Sequence, residues 1–274
     1  MPEGDTIFKL AAALAPELCG ERVERLWIRR RPDPPAAGRR ITQVTSQGKH
    51  LYIMLDDAMR IRTHLGLYGS WHRYRPREPW QKPERQASLV LRLAKRVYVC
   101  FSAKEVEIIA ADGFHDRDQR HRLGPDLARH PPSPDLLAER LARIARPDAL
   151  MADLLLDQRI ASGIGNVYKS ETLFLEGVPP DVRLREVPLP RVLRLYETAA
   201  ELLASNLSDG PRVTRRSQDG RGRLWVYKRA GLPCLRCGAP VVRQMLGRTP
   251  RSTYWCPSCQ SGLSSAPADG PDAR

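Results

Sequence analysis

Two C-x-x-C pairs, Cys234-Leu235-Arg236-Cys237 and Cys256-Pro257-Ser258-Cys259, lie 18 residues apart and carry the most direct chemical signal in the chain. Each pair can supply two thiolates to one tetrahedral zinc ion. A redox motif is the competing reading of either pair alone, and a second pair at this distance favours the metal. Four thiolates close the coordination sphere and leave no open position for catalysis. The implied cofactor is therefore one structural Zn2+ held by Cys234, Cys237, Cys256 and Cys259. The remaining cysteines, Cys19 and Cys100, stand alone in apolar surroundings and are expected to be buried thiols.

Anion binding is the second chemistry. Among 274 residues, 45 Lys and Arg face 31 Asp and Glu, a formal net charge of +14. Basic surfaces without a specific partner reach such totals, but here the charge is unevenly placed. Between Pro211 and Cys259 stand Arg212, Arg215, Arg216, Arg221, Arg223, Lys228, Arg229, Arg236, Arg243, Arg248 and Arg251, against Asp219 as the one acidic residue. So one-sided a segment repels itself unless a polyanion neutralises it, and arginine suits bidentate phosphate contacts. Nucleic acid is the expected partner class. Upstream, Ala161-Ser162-Gly163-Ile164-Gly165-Asn166 reads as a tight double turn before a helix opening at Val167. Glycines allow left-handed angles there, and the first helical amides make a phosphate site. An ordinary helix hairpin explains the same residues; the basic zinc module in the same chain favours the phosphate clamp.

The elements that must position these groups follow from periodicity. Ile7, Leu10, Ala11 and Leu14 predict a first helix, with Asp5-Thr6 as capping candidates and Pro16 near its end. From Arg22 to about Ile109 the period is two: Leu51, Ile53 and Leu55; Leu89, Leu91 and Leu93; Val97, Val99 and Phe101. An antiparallel β-sandwich or barrel with the helix alongside is expected. Helical spacing returns over Leu136–Ile144, Leu150–Arg159, Val167–Glu176 and Leu189–Leu207, after a proline-rich hinge at Ala128–Asp135. The domains expected are 1–127, 128–222 and 223–261, with a disordered tail at 262–274.

Hydrophobic residues at 42% and charged residues at 28% fit a globular chain. No apolar run approaches the ~20 residues of a membrane span. The start Met1-Pro2-Glu3-Gly4-Asp5 is acidic where a signal peptide is basic. A soluble, cytoplasmic protein with no membrane association is expected.

Four features occur in a specific order: Pro2-Glu3-Gly4-Asp5; Gly48-Lys49 starting a strand; Leu155-Leu156-Asp157-Gln158 through Gly163-Ile164-Gly165-Asn166; and Arg251 with Tyr254-Trp255-Cys256-Pro257 in the zinc module. In these the chain resembles the formamidopyrimidine-DNA glycosylase and endonuclease VIII family of DNA-repair enzymes, over nearly its whole ordered length. The resemblance implies an α+β fold: an N-terminal helix and β-sandwich, then a helical domain with a helix–two-turn–helix and a four-cysteine zinc finger. It also implies a bifunctional glycosylase and abasic-site lyase of base excision repair, a monomer at the nucleoid acting on damaged DNA without a small-molecule cofactor.

Removal of Met1 would leave Pro2 with a free secondary amine. An α-amino group has a pKa of ~7.7–8.0 against ~10.4 for lysine, so far more of it is nucleophilic at neutral pH. In the family's chemistry this amine attacks C1′, and Glu3 is the general acid, for which partial burial is expected. Lys49 pairs with the lesion phosphate and donates a proton in β-elimination; Arg251 grips flanking phosphates and assists δ-elimination. Asn166 and Arg122 match phosphate-contacting positions. Leu67 and Tyr68, in His64-Leu65-Gly66-Leu67-Tyr68-Gly69, match the loop that fills the stack when a nucleotide is extruded. Gly66 stands where the best-known endonuclease VIII members carry glutamine. Plain structural readings compete with each role: a helix start at Pro2-Glu3, a solvated Lys49, a surface Arg251, a helix-capping Asn166, a linker charge at Arg122, a core strand residue at Leu67. The Pro2-Glu3-Gly4-Asp5 start, and the lack of an Arg-Arg-Phe triplet in Phe101–Glu107, favour the endonuclease VIII branch and oxidised pyrimidines. A catalytically idle DNA-binding protein or a generic zinc-ribbon module would use some of these residues, but the latter has no need of Pro2, Glu3 and Lys49 together.

Overall fold

Helix α1 (Gly4–Leu18) opens on a capping box. Glu3 is the N-cap, its backbone N–H donates to Thr6 Oγ1 at 3.3 Å, and its carboxylate accepts from the Thr6 amide. The cap is thus Glu3 with Thr6, not Asp5-Thr6, because extended backbone at Glu3 precedes the first helical turn. Ile7, Ala11, Leu14 and Leu18 form the buried stripe of α1. Cys19 follows as the C-cap and is exposed, whereas Cys100 is buried as expected. The difference arises because the stripe ends at Leu18.

The computed structural model of the chain describes residues 2–110, 123–129, 132–217 and 219–262. Period-two segments become β1 (Val23–Ile28), β2 (Ile41–Gln47), β3 (His50–Leu55), β4 (Arg60–His64), β5 (Ser70–Tyr74), β6 (Ala87–Leu93), β7 (Val97–Phe101) and β8 (Glu105–Ile109). Two antiparallel sheets result, ordered β2-β3-β4-β8 and β1-β6-β7-β5. Leu51, Ile53 and Leu55 of one sheet share a core with Leu89, Leu91 and Leu93 of the other and with the α1 stripe. This is the β-sandwich with a helix alongside. Strand β7 departs from simple alternation. Tyr98 and Cys100 face the shared core, while Val97, Val99 and Phe101 join Tyr74 and Val90 in a second apolar cluster, so all five β7 residues are buried.

The chain divides into two compact units, Met1–Arg122 and Leu123–Arg274. The division precedes the expected 127/128 boundary because residues 124–127 are fastened to the second unit. Gly124 N donates to Gln158 O at 2.8 Å, Ser162 N to Pro125 O at 2.8 Å and Leu127 N to Ser162 O at 3.1 Å. The second unit contains α2 (Pro134–Ile144), capped by the Ser133 hydroxyl, then α3 (Met151–Leu154), α4 (Asn166–Leu175) and α5 (Leu189–Ala204). A terminal hairpin, β9 (Val242–Leu246) and β10 (Arg251–Trp255), completes it. Its main core gathers Leu154, Leu155, Ile160, Ile164, Tyr168, Leu173, Leu195 and Tyr196. Helix α3 stops at Leu154 rather than continuing to Arg159. Asp157 Oδ1 accepts from Arg159 N at 3.0 Å, and Gln158 Nε2 donates to Leu156 O and Ile164 O at 2.8 and 3.1 Å. Such side-chain bonds offer the backbone an alternative to the helical ladder. No described helix is long and apolar enough to cross a membrane. Arg122 and tail residues 263–274 lie outside the described residues.

Candidate functional site

Pro2 is half-buried directly before Glu3, and Glu3 is fully buried at the start of α1. Burial of Glu3 is thus complete rather than partial. The open amides of the first helical turn carry the positive end of the helix dipole and hold the carboxylate in place. Helix α1 lies against β2 and β3, the strands that flank Lys49.

Lys49 lies in the two-residue turn joining β2 to β3, with Gln47 paired to His50 across it, and not at the first position of a strand. Gly48 takes φ +56 at the first turn position, a conformation that turns of this kind require of glycine. On the next positions the sheet gathers a charged cluster. The rings of His50 and His64, cross-strand partners on β3 and β4, are 4.8 Å apart. Arg62, itself buried, donates to His50 Nδ1 at 3.0 Å and pairs with Glu107. Burial first, then His64, the Arg62 guanidinium and the Lys49 ammonium, pushes the His50 imidazole down to about 3. Burial likewise brings His64 down to about 4, against the opposing pull of Glu105.

Strands β4 and β5 are joined by a loop that projects Leu67 and Tyr68, 50% and 80% exposed. Leu67 is therefore not a core strand residue. The loop closes with Gly69 N donating to Leu65 O at 3.0 Å, and a Cβ at Gly69 would meet that oxygen at 2.4 Å. Gly66 adopts φ +64, and a Cβ there would sit 2.9 Å from Lys104 Cβ. Glutamine cannot take this position without moving the loop.

In the second unit the four expected cysteines converge, with all Sγ atoms within 4.8 Å of one another. Cys234 and Cys259 sulfurs are 3.8 Å apart, and those of Cys237 and Cys256 are 3.5 Å apart. Tetrahedral Zn–S bonds of about 2.3 Å place sulfurs roughly 3.8 Å apart, so the set fits one structural zinc. Gln260 supports the second knuckle, accepting from Cys256 N at 2.9 Å and donating to Val178 O at 2.8 Å.

The double turn is organised by Gln158, whose Oε1 accepts from Gly163 N at 3.1 Å, and Gly163 takes φ +113. Gly165 is the N-cap of α4 and Asn166 its first residue, one position earlier than the expected Val167. Arg251 opens β10 and is exposed. Two residues that the sequence motifs did not single out tie these parts together. Buried Lys169 bonds Asn166 on one side and β10 on the other, and Asp153 of α3 accepts from Arg248 N at 3.0 Å. Lys169 stands in Val167-Tyr168-Lys169-Ser170-Glu171-Thr172-Leu173-Phe174, at the head of a polar run that gives no sign of its burial. Fully buried Glu171 accepts from the amides of Trp225, Val226 and Tyr227 at 2.7, 2.9 and 2.8 Å and from the Thr214 hydroxyl, bracketing the basic loop between them. Asp219 pairs with Arg215 and Arg221 inside that loop.

Residues 1–105 match the family described as formamidopyrimidine-DNA glycosylase N-terminal domain, residues 123–217 its H2TH domain, and residues 231–262 the zinc finger found in FPG and IleRS. The chain is 38% identical over 280 residues to "Probable endonuclease 8 2" of Streptomyces coelicolor, covering 100% of this chain and 98% of that protein. It is 37% identical over 263 residues to DNA-(apurinic or apyrimidinic site) lyase Nei2 of Mycolicibacterium smegmatis, covering 95% and 99%. Lactococcus lactis formamidopyrimidine DNA glycosylase, solved non-covalently bound to DNA containing an abasic site, shares the fold with a TM-score of 0.79 at 21% identity, over 95% of this chain and 100% of that one. By these matches over its length, with the four-cysteine cluster in the matched zinc finger, the chain belongs to the formamidopyrimidine-DNA glycosylase and endonuclease VIII family.

Proposed function

We propose that this chain is a bifunctional DNA glycosylase and abasic-site lyase of base excision repair that removes oxidised pyrimidines. The observation that carries the reading is Pro2 held beside a fully buried Glu3 at the N-terminus of α1, in a member of this family. Once Met1 is removed, the Pro2 nitrogen lone pair forms a bond to C1′ and the C1′–base bond breaks, its electrons leaving with the base. The attacking nitrogen gives up its proton to the departing base. As Glu3 delivers a proton to the ring oxygen and the C1′–O bond breaks, the freed nitrogen lone pair forms an iminium cation at C1′. That cation acidifies the C2′ proton, whose loss gives an enamine. The enamine electrons return to form C2′=C3′ as the C3′–O bond breaks and the 3′-phosphate leaves with its pair. Loss of the C4′ proton from the conjugated iminium then breaks the C5′–O bond and releases the 5′-phosphate. Lys49, on its tight turn, donates to the lesion phosphate. Asn166, the α4 amides and Arg251 hold backbone phosphates. Leu67 and Tyr68, exposed on the β4–β5 loop, fill the space of the extruded nucleotide.

Cys234, Cys237, Cys256 and Cys259 would hold the zinc, which would brace the hairpin that carries Arg251 and supply no reacting group. Damaged DNA is the partner, met by a monomer in the cytoplasm at the nucleoid, without a small-molecule cofactor. Duplexes each carrying one lesion provide the test. Thymine glycol and dihydrouracil are expected to be released, with strand cleavage on both sides of the site. Preferential release of oxidised purines would overturn the pyrimidine assignment, and tight binding without release of any base would leave a passive lesion-binding protein.

A further inference from the structure

Lys169 is fully buried near the start of α4, on the turn that carries Asn166. Its Nζ donates to Asn166 Oδ1 at 3.3 Å, to Thr253 Oγ1 at 2.7 Å and to the Ser252 carbonyl at 3.3 Å. A buried ammonium is costly unless its donors are used, so these bonds hold the two segments together. Thr253 is fully buried and faces α4; by strand alternation Arg251, two residues earlier, lies on the same face of β10. The far end of the hairpin is tied as well. Asp153 Oδ2 accepts from Arg248 N at 3.0 Å, and a Cβ on Gly247, where φ is +98, would lie 2.0 Å from Asp153 Oδ1.

We propose that Lys169 is a positioning residue that joins Asn166 and Arg251 into one two-point clamp for DNA backbone phosphates, by fixing both the amide of Asn166 and the register of β10. The proposal rests on the phosphate-binding reading of Asn166 given above. An ammonium accepts no hydrogen bond, so it selects the oxygen end of the Asn166 amide and turns Nδ2, the donor end, away from itself. A phosphate oxygen needs a donor, and the bond to Lys169 leaves Nδ2 set to supply one before DNA arrives. The same ammonium adds positive charge beneath a helix N-terminus that already favours anions. Lys169 touches no reacting atom in this account.

A double-mutant cycle tests it, reading the Kd of the zinc-loaded full chain for a duplex containing a tetrahydrofuran abasic analogue. Asn166→Ala should weaken binding about tenfold, the loss of one charge-assisted bond. Lys169→Met should weaken it by at least a similar factor in the wild-type background but by less than about twofold once Asn166 and Arg251 are both replaced by alanine, with zinc content and cooperative melting retained. Lys169→Arg, which keeps the donors, should recover part of the loss. If Lys169→Met weakens binding as much in the Asn166→Ala, Arg251→Ala background as in wild type, Lys169 does not act through the pair and the proposal is overturned. If Asn166→Ala alone binds as wild type, the phosphate reading itself fails, a result separable from the first. Should Lys169→Met lose zinc, the cycle is run with the isosteric Thr253→Val. This keeps the lysine but removes one acceptor of its ammonium on β10, and its effect should likewise shrink once Asn166 and Arg251 are both alanine.

Discussion

Glu3 performs two tasks with one carboxyl group. It closes the capping box that starts α1, and it lies next to the nitrogen proposed to attack the sugar. Glutamine keeps the acceptor that the cap needs but has no acidic proton to deliver. Glu3→Gln is therefore expected to lower base release by a factor on the order of 100 or more. Affinity for a duplex with a tetrahydrofuran site should stay within about twofold of wild type; restored release at the wild-type rate would contradict the assignment. Gly66 makes the opposite case, a residue defined by what cannot replace it. Its left-handed backbone and the close Lys104 Cβ predict that Gly66→Gln costs about 1–2 kcal/mol, read as a lowered melting temperature. Unchanged stability would mean the loop accommodates the side chain.

At the scale of elements, the β3–β4–β8 sheet carries a built-in pH response. His50 and His64 are held far below the ordinary 6.5, by burial first; His64, Arg62, Lys49 and Lys104 lower His50 further, and Lys104, Lys49 and Arg62 lower His64 against the upward pull of Glu105. The unfolded chain takes up these protons before the folded one. Stability is thus fully present above pH 6.5 and lost as pH falls toward about 4 and then 3, with a slope near 1.4 kcal/mol per pH unit for each imidazole. Thermal melts between pH 7 and 4 check this, and His50→Phe should flatten the dependence; a flat wild-type profile would contradict it. Much of this architecture was legible in the sequence, since the period-two runs and the α1 stripe report which face is buried. The end of α3 at Leu154 was not. Its stop signals are hydrogen bonds from Asp157 and Gln158 side chains to backbone that the fold alone brings near. Lys49 in a turn rather than a strand was hidden for a related reason: Gly48 is a turn residue only once Gln47 pairs with His50. Lys169 and Asp153 escaped notice because their partners are 84 and 95 residues away in sequence.

For the molecule as a whole, the +14 net charge and the zinc hairpin belong to one argument about holding a polyanion. All four cysteines lie within the second compact unit, as do Asn166, Lys169 and Arg251. Thiolate coordination supplies much of the folding free energy of a module this small. Chelation should therefore unfold the β9–β10 hairpin and weaken DNA binding by tenfold or more, while the sandwich of the first unit keeps its cooperative melting transition. Retained affinity after complete zinc removal would show that the hairpin is dispensable for DNA binding.

The central claim is that the imino nitrogen of Pro2 forms the covalent link to DNA. Borohydride reduction of the processed enzyme with a duplex containing an abasic site, followed by peptide mass spectrometry, tests it most directly. A stable adduct of one oligonucleotide fragment is expected on the peptide beginning at Pro2. A correctly processed N-terminus with no adduct, or an adduct mapped to Lys49 or another lysine, would contradict it.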